Sequence, residues 1–313
     1  MPSDPPDKIG SSLSPRPLAK DVWLTADELG FGGDEATGRT RDVGGNRFVF
    51  RPLRRLVDLV AVEQLQLDVF GLAEREVIPA SELVVVAETG GEVIGAAVAG
   101  AEEDDLAGAL VGWGGFVDGA PRIVSDLLAV HSSQRGFGIG ADLKRQQALI
   151  AIRRGFREIV WTVDPLRAAN ARLNLAKLGA VAHCYERDRY GTGFGGGLYG
   201  RMPTDRLHMV WDLTSKRTRD RLISRDTVTT DFESIPPFSP AVRAPATIIE
   251  IPTDIDRLLT VDPDAAMAWR FAVRSNFEAA FADGWEVRGF GNTATRAAYI
   301  LVPRDTFSSD EAG

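Results

Sequence analysis

HSSQRGFGIGADLK, His131 to Lys144, sets glycines at 136, 138 and 140, directly after an arginine and directly before a helical pattern. Glycine tolerates positive φ and lets the backbone approach a ligand closely. The first N–H groups of a helix lack intrahelical partners and point at any anion before them. Arg135 adds a permanent charge whose planar fork suits phosphate. The stretch is therefore a candidate pyrophosphate turn. Its plain alternative is a strand-to-helix turn that uses glycine only to turn. A dinucleotide site is another: GFGIGA fits G-x-G-x-x-A and Asp164 ends the next strand. The context for that is poor, because the motif follows a β-rich segment in mid-chain and no second βαβ half is evident.

Outward from the turn, RIVSDLLAV (residues 122–130) reads as a buried strand and GIGADLKRQQALIAIRRG as a helix stopped by Gly155. EIVWTVD is a strand and AANARLNLAKLG a short helix stopped by Gly179. AVAHCYERDRYG and RLHMVWDL complete a β-rich unit. Upstream, order begins at RFVFRPL, followed by a helix over LVDLVAVEQLQLDVFG with Leu56, Leu59, Val60, Glu63 and Leu67 at helical spacing. ELVVVAETGGEVIGAAVAG predicts a hairpin around Thr89-Gly90-Gly91, and ALVGWGGFVDG a strand or a loop. Residues 1–46 read as an N-terminal extension, disordered over its first 20 residues. Residues 47–213 form the main domain and 214–245, with SIPPFSPAVRAP, a linker. Residues 246–313 are a small α+β C-terminal domain. Its helix places Met267, Phe271, Arg274, Phe277 and Phe281 on one face.

The chain has 313 residues, a net charge of -8 and an ordinary 44% hydrophobic content. That charge argues against a broad nucleic-acid surface. A local nest of N–H groups and arginines can still hold an anion. Cys184 is the only cysteine, so no intrachain disulfide forms, and His131, His183 and His208 lack metal-ligand spacing; no metal is expected. No apolar stretch resembles a signal peptide or a membrane span, and the expectation is a cytoplasmic protein without a membrane partner.

QRGFGIGADL resembles the acyl-CoA-binding segment of the GNAT superfamily of N-acetyltransferases, whose signature is Q/R-x-x-G-x-G/A. The preceding DLLAV and the downstream LAKLGA also resemble family segments, in the family's order. WTVDPLRAANARLNLAKLGAV, YERDRYG, PTDRLHMVWDL and AWRFAVRSNFEAAF are similar to a subgroup of longer members, over most of Arg47–Val302. Some of those are associated with N-succinylation or other N-acylation of amino acids. The resemblance implies an α/β (α+β) fold with a mixed, mostly antiparallel sheet flanked by helices. It implies acetyl-CoA, succinyl-CoA or a similar acyl-CoA as co-substrate and direct transfer to the amine of a small molecule. Homodimer formation is left open. A non-catalytic acyl-CoA-binding protein is the competing class.

Carried over, the resemblance assigns Arg135, Gly136, Phe137, Gly138, Ile139, Gly140 and Ala141 to the pyrophosphate. It assigns the backbone of Leu128, Ala129 and Val130, on a strand that splays from its neighbour, to the thioester and pantetheine. Asn170 and Asn174, at i and i+4, are candidates for the pantetheine amides, with an N-cap role for Asn170 equally open. The family's usual tyrosine acid is replaced by Leu175, which leaves Tyr185, Tyr190 or water for that role. Asp126, in the buried strand, is a candidate base or ammonium ligand, since a buried carboxylate must be hydrogen-bonded or reach a cleft. Asp164 faces the acceptor cleft or caps a turn, and Arg206 and Arg274 are candidate carboxylate ligands. An inward Arg274 is also satisfied by a protein carboxylate.

Overall fold

Apolar runs buried on both sides, as in β4 and β12, build one twelve-stranded sheet with a hydrophobic core on each face. The computed structural model describes residues 24–102, 105–117, 119–191, 201–225, 231–241 and 243–304. The disorder expected for residues 1–20 lies outside the described residues. The strands are β1 (Gly32–Asp34), β2 (Gly38–Val43), β3 (Asn46–Pro52), β4 (Glu92–Val98), β5 (Gly108–Val117) and β6 (Ala120–Val130). They continue as β7 (Glu158–Val163), β8 (Val181–Glu186), β9 (Arg206–Asp212), β10 (Thr247–Ile251), β11 (Trp285–Asn292) and β12 (Ala297–Pro303). Their order is β1-β2-β3-β4-β5-β6-β7-β9-β8-β11-β12-β10. Neighbouring strands are antiparallel except β6 and β7. The sheet is therefore mixed and mostly antiparallel, as the resemblance implies.

On one face lie helices α1 (Leu56–Phe70) and α2 (Ala80–Glu88), with Leu59, Val62, Leu83 and Val86 against Val93, Ala109 and Val111. On the other lies α3 (Ile139–Arg153), with Leu143, Ala148 and Ile152 in a core shared with Phe48, Ile94 and Leu110. Residues 93 and 94, or 109 and 110, thus face opposite ways, as the two-residue period of a strand requires. The remaining helices are α4 (Ala168–Ala171), which runs into a π-helical turn at Arg172–Lys177, then α5 (Lys216–Ser224), α6 (Ile255–Val261) and α7 (Pro263–Ala282).

Four expectations are corrected. The stretch expected as the first strand of a hairpin is α2: Ala80, Leu83 and Val86 are buried at helical spacing while Val85 is exposed. Packing on α1 overrides the strand propensity of three successive valines. The Gly/Asp-rich segment before residue 46 supplies β1 and β2, which extend the sheet from β3. The expected linker contains α5, capped by Ser215 and anchored by buried Thr218 and Leu222. The buried faces are also rotated. In α1 the core side is Asp58, Leu59, Val62, Leu65 and Gln66, while Leu56 and Val60 are exposed. In α7 it is Ala266, Arg270, Val273, Phe277 and Ala280, while Phe271 is exposed.

The C-terminal strands continue the same sheet through β8 and β11, which pair at Val287–Ala182. Helix α7 is fastened by two arginines one turn apart. Arg270 Nη2 donates to both oxygens of Asp164 at 2.8 Å, with both side chains buried. Arg274 forms a bidentate pair with Asp205, at 2.7 and 2.8 Å. Removing one partner of a buried pair strands the other charge. Arg270→Ala is expected to lose about 3–5 kcal/mol of unfolding free energy, measured as a lower urea midpoint at unchanged slope.

Candidate functional site

The parallel pairing of β6 with β7 consists of Ile123–Ile159 and Val124–Val160 and stops there. Immediately beyond, β6 carries a bulge: Ser125 pairs with Gly112 and Leu127 with Val111, so Asp126 is the extra residue. A bulge bends and twists its strand and re-aims the side chain it carries. From Ser125 to Val130 the β7-facing edge of β6 is open, and two contiguous clefts occupy the gap.

The first cleft, about 780 Å³, lies against the glycine turn and is lined by Gln134, Arg135, Gly136, Gly138, Ile139 and Gly140 together with Leu128 and Val130. Gly136 and Gly138 sit at φ +90° and +80°, and a Cβ on Gly136 would meet open space. Gly138 is the N-cap of α3 and no side chain caps it. The first backbone bond of the helix is Asp142 N–H to Gly138. The N–H groups of residues 139–141 are thus left to a ligand, the arrangement that holds an anion. The second cleft, about 480 Å³, is lined by Ser125, Asp126, Leu127, Lys144, Asp164, Asn174, Arg189, Tyr190, Arg206 and His208. Phe70, Leu128, Arg167, Asn170 and Leu173 line both. An extended ligand can therefore run from the turn along β6 to Asp126.

The predicted residues divide accordingly. Arg135, Gly136, Gly138, Ile139, Gly140, Leu128, Val130 and Asn170 border the first cleft. Asn170 lies within α4, whose N-cap is Arg167, so the N-cap role is not realised. Asn174 is buried in the π-helical turn and borders the second cleft. Ala129 and Ala141 are core residues, and the Phe137 ring packs on Phe48 and over Gly44. Asp126 is exposed at the second cleft and accepts a bond from Trp113 Nε1 at 3.3 Å. Asp164 borders that cleft, but its oxygens hold Arg270 and the Leu166 N–H. Arg274 is committed to Asp205 and does not line either cleft.

Tyr185 is turned away from both clefts. Its hydroxyl donates to Asp205 at 2.8 Å and its ring stacks on Phe277. Burial and the adjacent Asp205 charge push its ionisation far above the ordinary range. The tyrosine that does border the second cleft is Tyr190, whose ring lies 4.9 Å from the Arg206 guanidinium. Leu175 is fully buried. His208 Nε2 is 2.7 Å from Glu186, which also holds Arg189. His131 accepts from Ser133 N–H and shapes the turn below Arg135.

Behind the glycine turn, buried Asp142 takes Arg41 from β2, Arg145 from α3 at 3.1 Å and Arg225, after α5, at 3.5 Å. Three guanidinium groups share one carboxylate. Burial, then mutual repulsion, lowers Arg41 and Arg145 to about 10. This cationic surplus beside the turn suits a polyanionic ligand in a protein that is acidic overall.

Sequence reasoning missed the buried polar group next to Asp126. Lys144, on α3, donates to Ser125 Oγ at 2.7 Å and to Gln147 Oε1 at 3.2 Å, and lies 3.9 Å from the Trp161 ring centroid. Glu92, on β4, is buried beyond it, and neither carboxylate oxygen has a hydrogen-bond partner among the described residues. The only signal was the polar quartet Lys144-Arg145-Gln146-Gln147 inside an apolar helix, a pattern normally read as a solvated face. Here that face is covered, and all four are buried.

Residues 59–180 match the model of the Acetyltransferase (GNAT) family. This segment is a GNAT acetyltransferase domain. It runs from within α1 to just before β8 and includes the open edge of β6, the glycine turn and the π-helical turn. No curated protein matches the chain. Among solved structures, yncA of Salmonella typhimurium with its cofactor acetyl-CoA is 18% identical, with TM-score 0.43 over 53% of this chain and 94% of that one. The ribosomal-protein-S18-alanine N-acetyltransferase of Escherichia coli is 16% identical, with TM-score 0.42 over 53% and 94%. An N-acetyltransferase of Staphylococcus aureus Mu50 is 17% identical, with TM-score 0.42 over 53% and 98%. Beyond the GNAT domain, the turn after β8 supplies Arg189 and Tyr190, β9 supplies Arg206 and His208, and residues 253–256 close the first cleft. Among the described residues no helix is long and apolar enough to cross a membrane, and no cluster of three His, Cys, Asp or Glu side chains could hold a metal.

Burial gives Lys144 and Glu92 opposite pH signatures. It lowers Lys144 from 10.5 to about 7, against the pull of Glu92, and raises Glu92 from 4.5 to about 7, against Arg154, Gln147 and Lys144. The cost of burying Lys144 is full below pH 7 and fades as pH rises from 7 to 10.5. The cost of burying Glu92 is absent below pH 4.5 and grows as pH rises to 7. Lys144→Met is therefore expected to stabilise the protein more at pH 7 than at pH 10, and Glu92→Gln more at pH 7 than at pH 4.5. Denaturant titrations at these pH values measure both differences.

Proposed function

We propose that this protein is an acyl-CoA-dependent N-acyltransferase that moves an acetyl, succinyl or similar group to the amine of a small acceptor bearing a carboxylate. The carrying observation is the continuous path from the glycine turn, along the open edge of β6, to a cleft with Asp126 on one wall and Arg189, Arg206 and His208 on another. Residues 139–141, Arg135 and the cationic surplus at Asp142 hold the pyrophosphate. The free backbone of β6 orders the pantetheine arm, with Asn170 and Asn174 in reach of its amides. Asp126 receives the acceptor's ammonium and the basic wall its carboxylate, which describes an amino acid or a related compound. Binding both substrates beside one another supplies the orientation that direct transfer needs. Tyr190 is the cleft-facing hydroxyl available to protonate the leaving thiolate. The buried Leu175 in place of the usual tyrosine favours the competing non-catalytic reading, which thioester turnover decides.

Calorimetry with acetyl-CoA, succinyl-CoA and NAD tests the first half. Acyl-CoA binding is expected, NAD binding is not, and Arg135→Ala should weaken the acyl-CoA affinity about 10-fold or more, as loss of a charge-assisted contact predicts. Thiol release from the preferred acyl-CoA with the standard L-amino acids as acceptors tests the second. Asp126→Asn should raise KM for the amine and leave acyl-CoA affinity unchanged. An intact protein that binds no acyl-CoA would sink the reading.

A further inference from the structure

We propose that Ser125 and Lys144 form a proton relay that deprotonates the acceptor amine, with Ser125 touching the amine and Lys144 acting through it. This rests on the acyl-transfer reading above and names the group that removes the proton.

The placement is specific. Ser125 lies at the last residue before the β6 bulge and borders the acceptor cleft beside Asp126. Its Oγ is 2.7 Å from Lys144 Nζ, which reaches the same cleft from α3. Lys144 is otherwise sealed: Trp161 covers one side, and Gln147 takes one donor. Gly112 on β5 leaves the space in which Gln147 lies, since a Cβ there would come 2.7 Å from Gln147 Nε2. The charged or titratable groups around the pair are Glu92 on β4, with Arg154 beyond it, and, lining the cleft, Glu76, Asp126, Asp164, Arg167, Arg189, Tyr190, Arg206 and His208. No carboxylate forms an ion pair with Lys144 among the described residues. A lysine held for stability alone would be better replaced by an apolar side chain. Burial brings Lys144 to about 7, the range in which a base both accepts and returns a proton at neutral pH.

The step balances as follows. The acceptor's ammonium gives a proton to Ser125 Oγ as Ser125 passes its own hydroxyl proton to neutral Lys144. The nitrogen lone pair then forms the C–N bond to the thioester carbonyl carbon. The C–S bond breaks and its electron pair leaves on sulfur; Tyr190 gives that sulfur its hydroxyl proton and regains one of the two protons left on nitrogen, giving amide and thiol. After the products leave, Lys144 returns its proton through Ser125 to water. Nearby Glu92 favours the transiently charged lysine.

Two measurements on the full chain test this. In protein labelled with 13C at the lysine ε carbon, five lysines are present, and Lys144→Met identifies the resonance. Lys144 is expected to titrate near pH 7; an ammonium that persists to pH 9 overturns the relay. Thiol release from acetyl-CoA with the standard L-amino acids is then followed against pH. In the wild type, kcat/KM should rise through pH 7. Ser125→Ala and Lys144→Met should each lose about 10²-fold or more, as removal of a proton acceptor does, and lose that rise, with acetyl-CoA affinity kept within about 3-fold, well under the 10-fold worth of 1.4 kcal/mol. Ser125→Thr, which keeps the hydroxyl, should restore both. Variants with wild-type rates and the same pH profile overturn the relay alone. An acyl ester trapped on Ser125 also overturns it, since the hydroxyl would then be the nucleophile. A wild type that binds acetyl-CoA yet releases no thiol overturns the acyl-transfer reading and the relay with it.

Discussion

Two register pairs, Ile123–Ile159 and Val124–Val160, are all that join β6 to β7, and the site depends on their stopping where they do. A parallel pair in mid-sheet would normally continue and satisfy both backbones. Here the strands part, and β6 keeps a row of backbone polar groups facing a cleft rather than a neighbour. Such groups need a partner of some kind. The bulge at Asp126 turns the strand at the same point, so that a side chain from the middle of a core strand emerges into the opening. The π-helical turn after α4 brings Asn174 to the opposite side of the gap.

Apart from α2, helix and strand order from Arg47 to Leu213 was legible, because turn residues and caps act locally. Gly71, Gly155 and Gly179 each adopt positive φ where a helix stops. The glycine turn was legible for the same reason. What was hidden depended on partners far away in the chain. The ELVVVAE run carries strand propensity, and only α1 makes it a helix. Arg274 looked like a site residue because an inward polar group on an apolar face demands a partner, and Tyr185 because Leu175 stands in the place of the family's usual tyrosine. Both meet the same carboxylate, Asp205, about 70 and 20 residues distant. Lys144 was invisible for the converse reason: no local pattern says that the polar side of α3 is covered by the rest of the fold.

The electrostatics follow a consistent division. The chain is acidic overall, yet three of its arginines gather behind the glycine turn. Around Asp142 three guanidinium groups share one carboxylate, whereas at Asp164 and Asp205 each carboxylate has a dedicated arginine. The balanced pairs hold elements together. The unbalanced cluster, beside the glycine turn, leaves positive potential for a ligand. The same residue types thus serve as fasteners or as an anion seat according to local stoichiometry.

The fasteners also set the limits of modularity. Asp164 directly follows β7 of the GNAT domain and Asp205 directly precedes β9 just beyond it, while both of their arginines come from α7, more than two hundred residues after the GNAT match starts. An excised GNAT segment would keep Asp164 without its counter-charge and would present β7 without β9. The C-terminal residues are therefore not a transplantable appendage, and the unit that recombination or protein engineering can move intact is the sheet from β1 to β12, not the family segment within it.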